Sequence, residues 1–375
     1  MKTAFPPAPR RVLMTVDTVG GVWTYALELA RALVPHDVSF EIATMGAPLS
    51  RSQWMEAEAH PNIRIHESRY KLEWMPDPWP DVDAAGDWLL QIERTTRPDL
   101  VHLNGFAHGT LPFRAPLLMV GHSCVLSWWE AVKGEAAPPE WDRYRAVVRR
   151  GLHDANVIAA PTNAMLSALH RLYGPFPRAN SLQVLPNSRD ASLFPHAAPP
   201  EKEPLILAAG RIWDEAKNFV ALETAAPALP WEVAVAGESA GTELETSSVR
   251  RLGHLSQPAL AGWLRRAAIY ALPARYEPFG LSILEAALAG CALVLGDIPS
   301  LREVWGDRAA CFVPPNDPAV LREVLCRLIG DPFECARLSL AARERALRYT
   351  PERMADAYLA AYAATMEAVR CPVEV

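Results

Sequence analysis

The sequence predicts an α/β protein made of two doubly wound parallel-sheet domains. Three observations carry this. The chain has 375 residues, more than one typical hydrophobic core holds, so two domains are the default. Short apolar strand candidates alternate with helical stretches along nearly its whole length, the pattern of parallel sheets covered on both faces. The alternation breaks once, at "PHAAPPEKEP" (195–204), which is rich in proline, lacks periodicity and reads as a linker.

Taken in order, "RVLMTV" from residue 11 is a β-rich run. It is followed by "DTVGG" and the helical "VWTYALELARALV". Further strand candidates are "VSFEIATM", "NIRIHES", "DLVHLNG", "PLLMVGHS" and "NVIAAPT", with helical stretches such as "DVDAAGDWLLQIERTTR" and "PEWDRYRAVVRRGLHD" between them. After the linker the alternation restarts with "LILAAG", "WEVAVAG", "VRRLGHL", "AIYALPA", "ALVLGD" and "ACFVPP". The tail opens with Thr350 as a helix N-cap and Pro351 at the first helical position.

Composition narrows the function classes. Half of the residues are hydrophobic and 21% are charged, with a net charge of −6, which gives no support for a nucleic-acid or anionic-membrane protein. Locally "RYRAVVRR" (143–150) is basic; it reads as a solvated helix face, with a membrane-surface patch as the alternative. The six cysteines form no CxxC pair and match no zinc spacing, which fits reduced thiols of a cytoplasmic protein. The start has no apolar stretch long enough for a signal peptide, and no run approaches the ~20 apolar residues of a transmembrane helix. Cys371 lies too far from the end for a prenylation signal.

Ligands of open parallel sheets bind beyond the carboxyl ends of the strands, so the loops after strands hold the candidates. Gly20-Gly21 follows a strand and opens a helix, where backbone amides can face an anion; a tight turn explains it equally well. It is not GxGxxG, so a dinucleotide fold lacks its fingerprint. Arg211 and Lys217 in "LILAAGRIWDEAKNF" put two cations at one loop. They could clamp a diphosphate or pair with Asp214 and Glu215. His122 ends an apolar strand, as a structural hydrogen-bonder or a site residue.

"ARYEPFGLSILEAALAG" (274–290) poses the sharpest question. Its helix is apolar nearly all round, so it belongs inside, yet Glu285 sits in it and Glu277 just before it. Charged side chains are rarely buried unless paired. Ser282 and Glu285 match an S-x-x-E capping box, which would account for one carboxylate without any function. It does not account for Glu277, or for the glycine-bearing start Phe279-Gly280-Leu281.

These residues resemble the retaining GT-B glycosyltransferases, specifically glycosyltransferase family 4. The matching pieces run in the family's order: "GGV" (20–22), "GHS" (121–123), "PNSRD" (186–190), "GRIWDEAKN" (210–218) and "EPFGLSILE" (277–285), the last an E-x7-E motif. The resemblance implies a GT-B fold, two Rossmann-like domains facing a central cleft. The domains are expected at 1–195, the acceptor side, and 196–350, the nucleotide-sugar side, with a C-terminal helix (351–375) crossing back to the first. It implies a hexosyltransferase with no cofactor, whose donor is a UDP- or GDP-sugar and whose acceptor is a carbohydrate or glycolipid precursor. Arg211 and Lys217 would hold the donor diphosphate, Glu277 the sugar hydroxyls, and Glu285 the ribose hydroxyls. The amides of Phe279, Gly280 and Leu281 would lie close to sugar or phosphate. The Gly20-Gly21 loop and His122 would approach the donor from the other domain. No transmembrane segment is expected, and peripheral membrane contact stays open.

Two departures stand out. The family's P-N-G-V-D is here Pro186-Asn187-Ser188-Arg189-Asp190, and its His-x-His is here His102-Leu103-Asn104. Asp81-Val82-Asp83 is a D-x-D, a metal motif in the other large glycosyltransferase class. Here it opens a helix, where acids suit the dipole, and the Arg/Lys pair already supplies the positive charge a metal would, so no metal is expected. Trp74 and Trp79 are the acceptor candidates, because aromatic faces suit sugar rings; core or loop packing is the alternative. Rival readings are a hydrolysing nucleotide-sugar epimerase, a phosphorylase, and a non-enzymatic two-domain sugar-binding module.

Overall fold

The computed structural model describes residues 9–176, 182–194, 196, 202–238 and 248–370. Most of the proline-rich linker, the first eight residues and Cys371 lie outside the described residues. The chain divides into two compact units. The first comprises Met1–Trp129, Ala136–Asn187 and Pro351–Val375; the second comprises Glu130–Glu135 and Ser188–Thr350. The main change of unit, between Asn187 and Ser188, precedes the proline-rich stretch.

The first unit is built on strands β1 (Arg11–Asp17), β2 (Ser39–Met45), β3 (Ile63–Glu67), β4 (Leu100–Leu103), β5 (Leu117–Val120), β6 (Val157–Ala160) and β7 (Leu182–Val184). They form one sheet in the order β3-β2-β1-β4-β5-β6-β7, with every neighbouring pair parallel. Met14 in the centre of β1 lies opposite Ile42 on one side and His102 on the other. The second unit holds β8 (Glu203–Ala209), β9 (Glu232–Ala236), β10 (Arg250–Gly253), β11 (Ala267–Leu272), β12 (Ala292–Gly296) and β13 (Cys311–Val313). Their order is β10-β9-β8-β11-β12-β13, again all parallel. The central strands read as unbroken apolar runs because helices cover both faces: all of "LLMV", "VIAA" and "ALVLG" is buried. Only β7 has no counterpart among the strands expected from the sequence. It is three residues long and half-buried, too short for its apolar pattern to register.

The helices are α1 (Gly21–Ala32), α2 (Arg51–Glu58), α3 (Trp79–Thr96), α4 (Val125–Lys133), α5 (Asp142–Asp154), α6 (Asn163–Tyr173), α7 (Phe219–Ala225), α8 (Gln257–Arg266), α9 (Leu281–Leu288), α10 (Pro299–Ala309), α11 (Pro318–Gly330), α12 (Pro332–Ala346) and α13 (Pro351–Arg370). α13 packs on α1 and lies against β4, β5 and β6, so the end of the chain belongs to the first unit. The basic run 143–150 lies on α5, which buries Tyr144 and Val148 and exposes Arg149 and Arg150. It is the outer face of an amphipathic helix. Among the described residues no helix is long and apolar enough to cross a membrane.

Both sheets share one topological feature. Strand order reverses between β1 and β4 in the first and between β8 and β11 in the second. A doubly wound sheet opens a crevice at that switch point, beyond the strands' carboxyl ends.

Candidate active site

In the second unit the switch point collects the predicted residues. Arg211 and Lys217 lie in the loop after β8, and Glu277 lies in the loop between β11 and α9. Lys217 Nζ donates to Glu277 Oε2 at 2.5 Å, with both side chains largely buried. The two loops are stitched together, since Ala216 O accepts from the Arg275 amide at 2.8 Å. Asn218 adopts a left-handed backbone, φ +57°, and its buried side-chain amide donates to Pro273 O and Pro315 O. Asparagine tolerates that conformation better than most residues, and here it locks the turn that presents Lys217. Ser300, at the start of α10, donates to the carbonyl of Glu277 at 2.6 Å.

Arg211 pairs with Asp214 at 2.8 Å and lies over the Trp213 ring. Its Nε is buried and makes no hydrogen bond among the described residues. The pairing open from the sequence is thus divided: Arg211 takes Asp214, whereas Lys217 takes Glu277.

The S-x-x-E capping box does not form. α9 is capped by Gly280 at φ +91°, with no side-chain cap. A side chain at Gly280 would be strained by that φ and would run into Ile283. Ser282 Oγ lies instead 2.9 Å from the Tyr270 hydroxyl. Glu285 is buried against Arg189, with Arg189 Nε 2.9 Å from Glu285 Oε1 and both side chains under a tenth exposed. The partner of this puzzling carboxylate is thus the arginine of "PNSRD", at the family's Val position. Phe279 is buried, with its ring edge-on to Tyr349, and Leu281 is half-buried at the first position of α9.

The first unit's switch point is built differently. Gly20 caps α1 in an extended conformation, leaving the first-turn amides at the carboxyl end of β1. Asn104 follows β4, and His122 follows β5. His122 Nε2 lies 2.9 Å from Asn104 Oδ1, and the ring of Tyr25 lies 4.4 Å from the His122 ring, centroid to centroid. Behind them is a fully buried aromatic cluster. The Tyr25 hydroxyl donates to Tyr358 at 2.6 Å, and His102 lies between the Tyr25 and Tyr362 hydroxyls, at 3.3 and 3.0 Å. Burial holds these groups neutral: it pushes His102 down to about 3, lowers His122 and raises the three tyrosines. Glu73 braces the same loop by accepting from the Phe106 amide at 2.7 Å, and burial raises its pKa.

Trp74 packs against the Met45, Leu72 and Ala85 cluster. Trp79 opens α3 with the Arg143 guanidinium over its ring. Asp81 sits in the first turn of α3 and accepts from the Lys71 amide. Among the described residues no group of three or more His, Cys, Asp or Glu side chains is placed to hold a metal.

The sequence pattern did not single out Asn104, Tyr25, Tyr358 or Glu73 as site residues. Their contacts span tens to hundreds of positions; the signals present were the two departures at 104 and 189.

Comparison with known proteins bears on the family and the fold. Residues 19–193 match the family described as Glycosyltransferase Family 4, and residues 203–331 match Glycosyl transferases group 1. The chain belongs to glycosyltransferase family 4. It is 26% identical to a D-inositol 3-phosphate glycosyltransferase of Xylanimonas cellulosilytica, over 95% of this chain and 96% of that protein. Among solved structures it resembles sucrose-phosphate synthase from Thermosynechococcus elongatus, with a TM-score of 0.74 and 19% identity, covering 92% of this chain and 96% of the other. It also resembles Anabaena HepE in complex with UDP and glucose, with a TM-score of 0.72 and 15% identity, covering 92% and 97%. The fold of this glycosyltransferase is GT-B.

Proposed function

We propose that this glycosyltransferase takes a UDP- or GDP-sugar and transfers the sugar, with retention of anomeric configuration, to a hydroxyl of a carbohydrate or glycolipid precursor. The carrying observation is the 2.5 Å Lys217–Glu277 pair beside the Gly280-capped start of α9. It sets a cation, a carboxylate and a helix N-terminus together at a strand switch point.

Lys217 and Arg211 hold the diphosphate. Lys217 has three donors and directs one at Glu277, and among the described residues the buried Nε of Arg211 is an unused donor. Glu277, paired with Lys217, accepts from sugar hydroxyls, and Glu285 accepts from the ribose. The amides of Phe279, Gly280 and Leu281 face the phosphate or sugar, and in the first unit we assign Gly20-Gly21 and His122 to donor contact. In the transfer step the acceptor oxygen bonds to the anomeric carbon on the face from which the diphosphate leaves. The departing oxygen takes the acceptor's proton, and the two cations stabilise the charge left behind. HepE was solved with UDP and glucose, which favours UDP as the first donor to test. The X. cellulosilytica relative is named for an inositol phosphate, a hydroxyl-rich acceptor.

The test is a thermal-shift screen with UDP, GDP and their sugars on wild type, Arg211→Ala and Lys217→Ala. A nucleotide at a hundred times its Kd adds about 2.7 kcal/mol, so the donor raises Tm in the wild type. The variants lose that shift and about 10²–10³ in turnover. Wild-type shifts and turnover in both variants would remove the pair from the site. Inverted product by NMR would remove the stereochemical assignment alone.

A further inference from the structure

We propose that Asn104 is a positioning residue that fixes the tautomer of His122, so that His122 meets a sugar hydroxyl through Nδ1 as a hydrogen-bond acceptor. This rests on His122 being a site residue, as argued above, and assigns what it offers there.

The assignment follows from which groups can only accept. The side-chain amide nitrogen of Asn104 lies 2.7 Å from the carbonyl oxygen of Thr15. A carbonyl cannot donate, so the NH2 end of Asn104 must face it. The backbone amide of Asn104 donates to Thr15 Oγ1 at 3.0 Å, holding the residue from its other side. The orientation of Asn104 is thus anchored on main chain and is not an arbitrary choice between nitrogen and oxygen. Its Oδ1 then faces His122 Nε2 at 2.9 Å, and an amide oxygen can only accept. His122 must therefore carry its proton on Nε2. Burial keeps the ring neutral, so Nδ1 has a lone pair and no proton. Among the described residues Nδ1 takes part in no hydrogen bond, and His122 is only partly buried. A bare imine nitrogen recognises O–H donors and repels a carbonyl or phosphate oxygen.

Tyr25 completes the arrangement. Its ring packs against the imidazole at 4.4 Å, and its hydroxyl is tied to Tyr358 on α13. The ring plane is set by Tyr25 and the proton by Asn104. A leucine side chain at position 104 would bond neither the Thr15 carbonyl nor His122, while the backbone amide would keep its bond to Thr15 Oγ1.

The test joins spectroscopy to kinetics. Long-range ¹H–¹⁵N NMR of ¹⁵N-histidine-labelled enzyme reads the tautomer directly, with the His122 signal identified by its loss in His122→Gln. The wild type should show a proton on Nε2 alone at neutral pH. A proton on Nδ1, or on both nitrogens, overturns the proposal without any variant at position 104. Turnover is read with UDP-glucose, or whichever UDP- or GDP-sugar the thermal screen selects, water serving as acceptor. Asn104→Leu should lower kcat about tenfold with donor KM within about twofold, and should lose most of that effect in a His122→Gln background. An equal loss in both backgrounds would mean that Asn104 acts on the fold, and the proposal falls. Unchanged kcat in His122→Gln sinks the site reading of His122, and with it the sugar contact, even where the spectrum shows Nε2–H.

Discussion

The two switch points meet the same problem, polar groups at the end of a buried sheet, with opposite chemistry. In the second unit the groups are ions in pairs: Lys217 with Glu277, Arg189 with Glu285, Arg211 with Asp214. In the first, Tyr25, His102, His122, Tyr358 and Asn104 meet one another as neutral donors and acceptors. An ion pair keeps its charges available for another charged group, at a desolvation cost. A neutral network avoids that cost but is specific about which atoms donate. The first arrangement suits a diphosphate; the second suits hydroxyls.

The largest expected effect tests the ionic side. Arg189→Val restores the family's residue but leaves Glu285 in a buried place without this cation. It should destabilise the protein by about 3–5 kcal/mol, and adding Glu285→Leu should recover most of the loss, because a buried pair replaced by apolar groups is close to neutral. Urea unfolding of the single and double variants measures both. A single variant as stable as wild type would show that the pair is not what holds Glu285.

The neutral side should show itself in pH. His102 titrates near 6.5 when unfolded and near 3 when folded, so between these values the unfolded chain binds the extra proton. Stability present above pH 6.5 is lost as pH falls, by about 1.4 kcal/mol per pH unit for this one group. His102→Gln should flatten the curve by about that slope, as read from unfolding midpoints between pH 6.5 and 5. Identical slopes would mean that His102 is not held neutral.

The smallest effect lies outside both switch points. Asp81→Asn with Asp83→Asn, and chelator treatment of the wild type, should change turnover by less than about twofold, because Asp81 acts at a helix start. Activity lost in EDTA and restored by Mg²⁺ or Mn²⁺ would contradict this.

The same contrast explains what the sequence disclosed. The central strands of both sheets were legible because a fully covered parallel strand is an unbroken apolar run. Arg211, Lys217, Glu277 and Gly280 were legible as local motifs, each within a few positions of a strand end. What stayed hidden was pairing at a distance. Ser282 and Glu285 carry the capping spacing, yet tertiary partners, Tyr270 and Arg189, win both side chains. Asn104 read only as a departure from a pattern, because its meaning lies in Thr15 and His122, which adjoining strands bring to it.

One consequence concerns the order in which the molecule is made. Tyr25 and Tyr358 share a hydrogen bond although 333 positions separate them. α13, which supplies Tyr358 and Tyr362, is synthesised after every strand of both sheets. The first unit therefore leaves the ribosome with its aromatic cluster missing two members, and waits while the second is translated and folds. Its last buried hydrogen bonds close only when α13 arrives. A stop codon after residue 350 would leave the second unit's strands and helices complete, and would damage the domain encoded first.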